Sequence, residues 1–159
     1  LALMLWYAAL GAGLSALLFL NGDLLLHGGF IRLLPAWLLM TAGSVALGHL
    51  IYAIRPSLAE GLSLISVYSS FAFAGLTFPL QAMPFLGRYW AMSLPITHYL
   101  DFQVHAGQLG STFFSQFPAL AAMALLTLVF GGLGLTLTVR RGALLAAKLR
   151  AIRQEGATA

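Results

Sequence analysis

Four stretches of this chain are long and apolar enough to cross a bilayer, and no other feature restricts its fold as strongly. Leu1 to Leu20 is apolar apart from Ser15, and residues 33–54, 61–80 and 118–139 contain no Asp, Glu, Lys or Arg. A spanning helix needs about 20 consecutive, mostly apolar residues. Across all 159 residues 60% are apolar and 8% charged, against about 25% charged in an average soluble domain. That leaves too little polar surface to cover a water-soluble globule. The fold expected is an all-α integral membrane protein with spans at about 1–20, 33–54, 61–80 and 118–139. Cysteine is absent, which removes disulfide frameworks and thiolate metal sites.

The connections have their own signals. Asn21 to Arg32 carries Asn-Gly and Gly-Gly breakers and reads as a short loop. Pro35 suits the first turn of the second span, and Arg55-Pro56 closes it, because proline disfavours helix at the residue before it. Pro118 opens the fourth span, whose apolar run ends abruptly at Arg140-Arg141. Gly11, Gly13 and Ser15 in the first would let another helix approach closely. The chain begins with Leu in the middle of an apolar run, without the basic start and small-residue cleavage site of a signal peptide. The expectation is that an N-terminal part of a longer protein precedes it.

Four spans put both ends on one side. If that side is the cytoplasm, Arg55, Arg140, Arg141, Lys148, Arg150 and Arg153 lie inside, with Arg32 and Arg88 outside. Six against two orients the chain by the positive-inside rule. The net charge of +4 is therefore a membrane flank rather than a nucleic-acid surface, since the basic residues cluster after Val139. Residues 142–159 form a basic cytoplasmic tail. Leu145, Leu149 and Ile152 recur at i, i+4, i+7 there, so the tail either lies on the anionic inner leaflet or is a solvated stop-transfer segment.

Between the last two spans, Gly75 to Gly110 is too polar and proline-broken to cross, yet too apolar for a solvated loop. Pro79, Pro84 and Pro95 each remove a backbone donor. Tyr89, Trp90 and Tyr99 are aromatics of the kind that settle at headgroup depth. The geometry expected is an extracytoplasmic re-entrant helical hairpin over about 81–117. Irregular backbone at such depth survives only when protein or a water-filled cavity covers it.

In the third span Ser63, Ser66, Ser70, Ala74 and Thr77 fall on one helical face. Such a face either packs against a neighbouring helix or lines a polar route. His98, Asp101 and His105 have the i, i+3, i+7 spacing that would gather zinc ligands on one side of a helix. The alternative role is polar, with Thr97 or His98 satisfying freed backbone groups at the break and Asp101 facing water. His49, as a neutral ring, suits an interhelical hydrogen bond better than a proton relay. Glu60, at the cytoplasmic mouth of the third span, is either a solvated flank or a coupling point to a cytoplasmic segment. The chain has no GxxxxGK[ST] phosphate loop, no GxSxG and no HExxH, so any energy source lies on another chain or outside these residues.

Gly75, Phe78-Pro79, Met83-Pro84, Pro95, Thr97-His98-Tyr99 and Gly107 or Gly110, with Gly48 and Glu60 upstream, resemble the ABC-2-type permease family, the membrane subunits of bacterial ABC exporters. The resemblance covers about Leu33 to Arg141. It implies a six-helix permease half of which this chain is similar to the last four helices, with the family's hairpin at Gln81 to Phe117. Members often carry an extracytoplasmic domain after the first helix, and an ATPase-docking loop between the second and third. Where the family frequently has Arg after the Thr-His-Tyr segment, this chain has Gln103 and His105.

The function so implied is a dimeric, ATP-driven export permease of the bacterial inner membrane. A second permease subunit and an ABC ATP-binding subunit would be its partners in the lipid bilayer, with ATP and Mg on the latter and no cofactor, metal or nucleic acid on this chain. Gly75, Phe78, Pro79, Met83, Pro84, Pro95, Thr97, His98 and Tyr99 would shape the gate, and Ser63, Ser66, Ser70 and Thr77 the dimer cavity. No bond-breaking residue is expected. An intramembrane enzyme built on His98, Asp101 and His105 and a structural membrane anchor are the competing readings.

Overall fold

A computed structural model describes residues 5–6, 9–11, 13–14, 16–17, 30–75 and 77–158. The described residues are helices and connecting turns, with no strand among them. Those belonging to the expected first span are helical; the rest of that span and the loop at 21–29 lie outside the described residues. Gly11 sits so close to Trp37 that any side chain there would run into the indole.

Helix α1, Leu34–Ile54, is preceded by a 3-10 turn at Phe30–Leu33 and has Pro35 in its first turn. It ends where Arg55 turns extended, at φ −149° and ψ 93°, the conformation Pro56 imposes on its predecessor. A short 3-10 turn, Pro56–Leu58, leads into α2, Ala59–Phe73. The expected third span ran to residue 80, but α2 stops at Phe73. Gly75 adopts φ +90°, a left-handed conformation open to glycine at little cost, and the chain leaves the helix there. With 15 residues, α2 is about 22 Å long, shorter than a hydrocarbon core of about 30 Å. Thr77 lies beyond the end of α2 and so is not on the serine face. Its hydroxyl bends back to donate to the Ala72 carbonyl at 2.6 Å.

Two short helices follow: α3, Phe85–Met92, after Pro84, and α4, Pro95–Phe102, with Pro95 in its first turn. A π-helical turn, Gln103–Gln108, widens the end of α4, and Gly110 at φ +68° breaks it off. After a 3-10 turn at Phe113–Gln116, α5 runs from Phe117 to Thr158 without interruption. The apolar run stops at Arg140, but the helix does not. Arg, Ala, Leu and Lys are all good helix formers, so the described part of the basic tail, 142–158, continues α5 instead of forming a separate segment.

Two helical stretches, Ile31–Ile54 and Phe113–Gln154, are long and apolar enough to cross a membrane by length and composition. Only 17% of the most apolar window of each is buried, unlike the core helix of a water-soluble domain. They pack closely through small residues, which let backbones approach. Gly131 faces Ala46, and a Cβ on Gly134 would lie 3.3 Å from the backbone of Leu50. His49 reaches across from α1, its Nε2 3.4 Å from the Thr138 hydroxyl on α5, which donates to the Gly134 carbonyl.

The core sits at one end of this pair. Leu33 and Ala36 of the α1 end, Tyr99, Phe102 and Ala106 of α4 and its π turn, and Ala119, Leu120 and Met123 of α5 form one buried cluster. Tyr99 is 6% exposed and stacks edge-on against Trp37, with centroids 5.3 Å apart. Tyr99 therefore buries its ring against protein. It is a core residue, whereas Tyr89 and Trp90 are exposed. At the opposite end Arg141 donates to the Ile54 carbonyl at 2.6 Å, satisfying a carbonyl the end of α1 leaves open.

Candidate functional site

Outside the core lies a half-open groove of about 240 Å³ bounded by α1, α2 and the joint between α3 and α4. It exceeds the roughly 150 Å³ of an apolar cavity that accepts benzene. Met40, Ser44, Leu47, Gly48 and Ile51 line it from α1; Ser63, Ser66, Val67, Ser70 and Phe71 from α2; Leu94, Pro95 and Ile96 close one end. Three of the five hydroxyl and small residues expected on one face of the third span thus meet at this groove. Ala74 and Thr77, beyond the helix end, do not.

The groove is apolar with a serine seam. Ser44 donates to Met40 O at 2.9 Å, Ser66 to Leu62 O at 2.9 Å and Ser70 to Ser66 O at 2.6 Å. Each hydroxyl has spent its proton on its own helix and offers the groove acceptor lone pairs. Ser63 alone of the four makes no such bond among the described residues, leaving one free donor. Among the described residues no charged side chain lines the groove. A surface of this kind suits a weakly polar or alkyl ligand group, or a helix, and disfavours a free charge. Ser44 and Ser69 carried no periodic signal of their own. Ser44 lines the groove from α1, and Ser69 accepts a hydrogen bond from the Trp90 indole at 3.1 Å, tying α3 to α2.

The joint that closes the groove is held by its prolines and by His98. Met83 and Pro84 are extended, with ψ of 142° and 154°, and Pro84 delivers the chain into α3. Pro79 is likewise extended at ψ 135°, and Phe78 is exposed. Ser93 and Leu94 break α3 from α4. There His98 Nε2 lies 2.8 Å from the Met92 carbonyl, so the histidine satisfies a backbone acceptor the break sets free. Pro95 packs at the crossing of three helices: a Cβ on Gly43 would sit 2.9 Å from its Cγ and 3.1 Å from Thr127 Oγ1. Thr97 is 3% exposed and its hydroxyl has no hydrogen-bond partner among the described residues.

His98, Asp101 and His105 do not converge. His98 turns back to Met92, while His105 Nδ1 lies 2.9 Å from the Asp101 carbonyl and 3.2 Å from its carboxylate, on a half-exposed surface. No group of three His, Cys, Asp or Glu among the described residues is placed to hold a metal, so the zinc arrangement considered from spacing is not formed. Glu60 is exposed in the first turn of α2, where its negative charge complements the helix dipole. The chain matches no family model, no curated protein and no solved structure.

Proposed function

We propose that this chain is a membrane-spanning permease subunit of an ATP-driven exporter of the ABC-2 type. It pairs with a second permease subunit and a separate ATP-hydrolysing subunit that binds ATP and Mg, and moves its substrate outward across the bacterial inner membrane by alternating access. In this reading residues 1–20, 33–54, 61–80 and 118–139 cross the bilayer, the non-helical turn after Phe73 completing the third crossing. Residues 81–117 form the outer re-entrant hairpin, and the C-terminus is cytoplasmic.

The observation that carries the proposal is the groove, walled by Ser63, Ser66 and Ser70 and roofed by the broken joint at Leu94–Ile96. A pathway needs a small-residue wall beside a gate, and a merely structural anchor needs neither. Polarity along the helices supports the orientation. The hairpin core packs at the start of α1 and at Ala119–Met123, whereas Arg141 is bound to the end of α1. The 22 residues from Ala119 to Arg141 rise about 33 Å, one hydrocarbon thickness. Arg55, Arg140 and Arg141 thus gather at one face and the hairpin at the other, and the positive-inside rule makes the arginine face cytoplasmic.

The test uses the absence of cysteine from these 159 residues, any cysteine elsewhere in the full protein being replaced by serine first. Ser66→Cys in the full protein, reconstituted with the ATP-hydrolysing subunit encoded beside it, should change its maleimide labelling rate between nucleotide-free and ATP-bound states. An unchanged rate in a complex that hydrolyses ATP would remove the groove from the transport pathway.

A further inference from the structure

Beyond Arg141 the C-terminal part of α5 stands free of the bundle, and its chemistry is unused by the gate or the groove. Arg141 is tethered to Ile54, which fixes the level at which the helix leaves the spanning bundle. From there α5 continues unbroken to Thr158. At about 1.5 Å per residue, Lys148 lies about 10 Å beyond that level, Leu149 about 12 Å, and Ile152 and Arg153 about 17 Å. Leu145, Leu149 and Ile152 are 62%, 67% and 55% exposed, too much apolar surface on one stripe to leave in water without an occupant. Lys148, Arg150 and Arg153 flank that stripe and are also exposed. From Arg140 onward the chain has five basic residues and one acidic, Glu155.

Two occupants conflict with this geometry. An anionic leaflet could attract Lys148 and Arg150, but with a headgroup layer of about 6 Å Arg153 lies beyond a screening length of about 8 Å, and the apolar stripe cannot reach the acyl layer while residues 141–153 remain one helix. A second copy would bring the tails together along Gly142, Leu145, Leu149 and Ile152, which have coiled-coil spacing. The flanking Lys148 and Arg153 would then face one another across a parallel pair with like charge. An apolar groove rimmed by carboxylates satisfies both the stripe and its flanks.

We infer that residues 142–154 are a docking strut for a cytoplasmic protein with an acidic-rimmed apolar groove. The choice of partner rests on the exporter reading, in which that protein is the ATP-hydrolysing subunit. The strut gives the subunit a hold continuous with the helix that packs on α1, so its movement reaches the gate through α5.

The experiment measures binding of the purified ATP-hydrolysing subunit to the full protein in nanodiscs. Leu149→Glu/Ile152→Glu and, separately, Lys148→Glu/Arg150→Glu/Arg153→Glu should each weaken binding about tenfold or more, the loss expected from an anchor pair. Raised salt should weaken wild-type binding. Both variants change only exposed positions, and a third, Ser66→Leu, should leave subunit binding unchanged. A spin label at Arg153→Cys should stay clear of the headgroups in both phosphatidylglycerol and phosphatidylcholine discs. Wild-type binding that neither tail variant alters would overturn the strut alone, as would a label lying down on phosphatidylglycerol. A wild-type protein that never binds the subunit would overturn the exporter reading together with it.

Discussion

Gly132 and Gly134 lie two residues apart on α5, and the structure assigns them opposite responses to the same methyl group. A Cβ at Gly132 meets nothing within 4 Å, whereas at Gly134 it would fall 2.6 Å from His49 Cδ2 and 3.3 Å from the Cα and N of Leu50. The ring of His49 can turn aside, but the Leu50 backbone cannot, so α1 and α5 must separate. Overpacking of this kind costs about 1–3 kcal/mol. Displacing His49 from Thr138, a long contact at 3.4 Å, adds about 0.5–1.5 kcal/mol. Alanine returns about 1 kcal/mol through helix propensity. Gly134→Ala should therefore destabilise by about 2 kcal/mol, and Gly132→Ala should be neutral or stabilise by up to about 1 kcal/mol. Reversible unfolding of the full protein in mixed micelles, followed by far-ultraviolet circular dichroism, measures both. If the two variants agree within about 0.5 kcal/mol, the usual error of such comparisons, the α1–α5 crossing described above is wrong.

Thr97→Val removes a buried hydroxyl that has no partner among the described residues. It should stabilise by about 1 kcal/mol, since an unsatisfied buried polar group costs about 1–3 kcal/mol, and a melting midpoint that falls would mean the hydroxyl is bonded. Gly75→Ala forces a side chain into φ +90°, at a cost of about 1–2 kcal/mol, read in the same unfolding assay; no loss would put the end of α2 elsewhere. Filling the groove with Ser66→Leu and Ser70→Leu should depress nucleotide-driven transport in vesicles while leaving assembly intact, and unimpaired transport would deny the groove a role. Trp90→Phe deletes the indole donor to Ser69 and should raise hydrogen exchange in α3 relative to α4; exchange in α3 equal to that of the wild type would show that the bond does not hold α3.

Much of the helical outline was legible because prolines mark it. Pro35, Pro56, Pro84, Pro95 and Pro118 each stand at or beside a helix boundary, where the missing amide and fixed φ have direct local consequences. The serine spacing on α2 was likewise readable, because 3.6-residue periodicity needs no partner to be seen. What escaped the sequence depended on non-local packing. The stop after Phe73 is written in one glycine inside an apolar run, and only its positive φ distinguishes it from Gly48 or Gly61. The burial of Tyr99 is not legible until Trp37, 62 positions earlier, is found against it. Residues His98, Asp101 and His105 have ligand spacing for a regular helix, but the π turn at Gln103–Gln108 and the bond from His98 to Met92 O separate them. The tail's continuity with α5 was hidden because the end of an apolar run marks a change of solvent rather than a helix end.

The central claim is that the proline-broken segment caps the outer mouth of a conduit whose cytoplasmic end is marked by arginines. Leu86, 80% exposed in α3, and Arg150 in the tail are the positions at which to test it, each as a single cysteine in a chain with no other. A membrane-impermeant maleimide added to intact spheroplasts should label Leu86→Cys and spare Arg150→Cys, and everted vesicles should reverse the pattern. Labelling of both positions from the same side, or of Leu86→Cys only from the cytosol, would contradict the account.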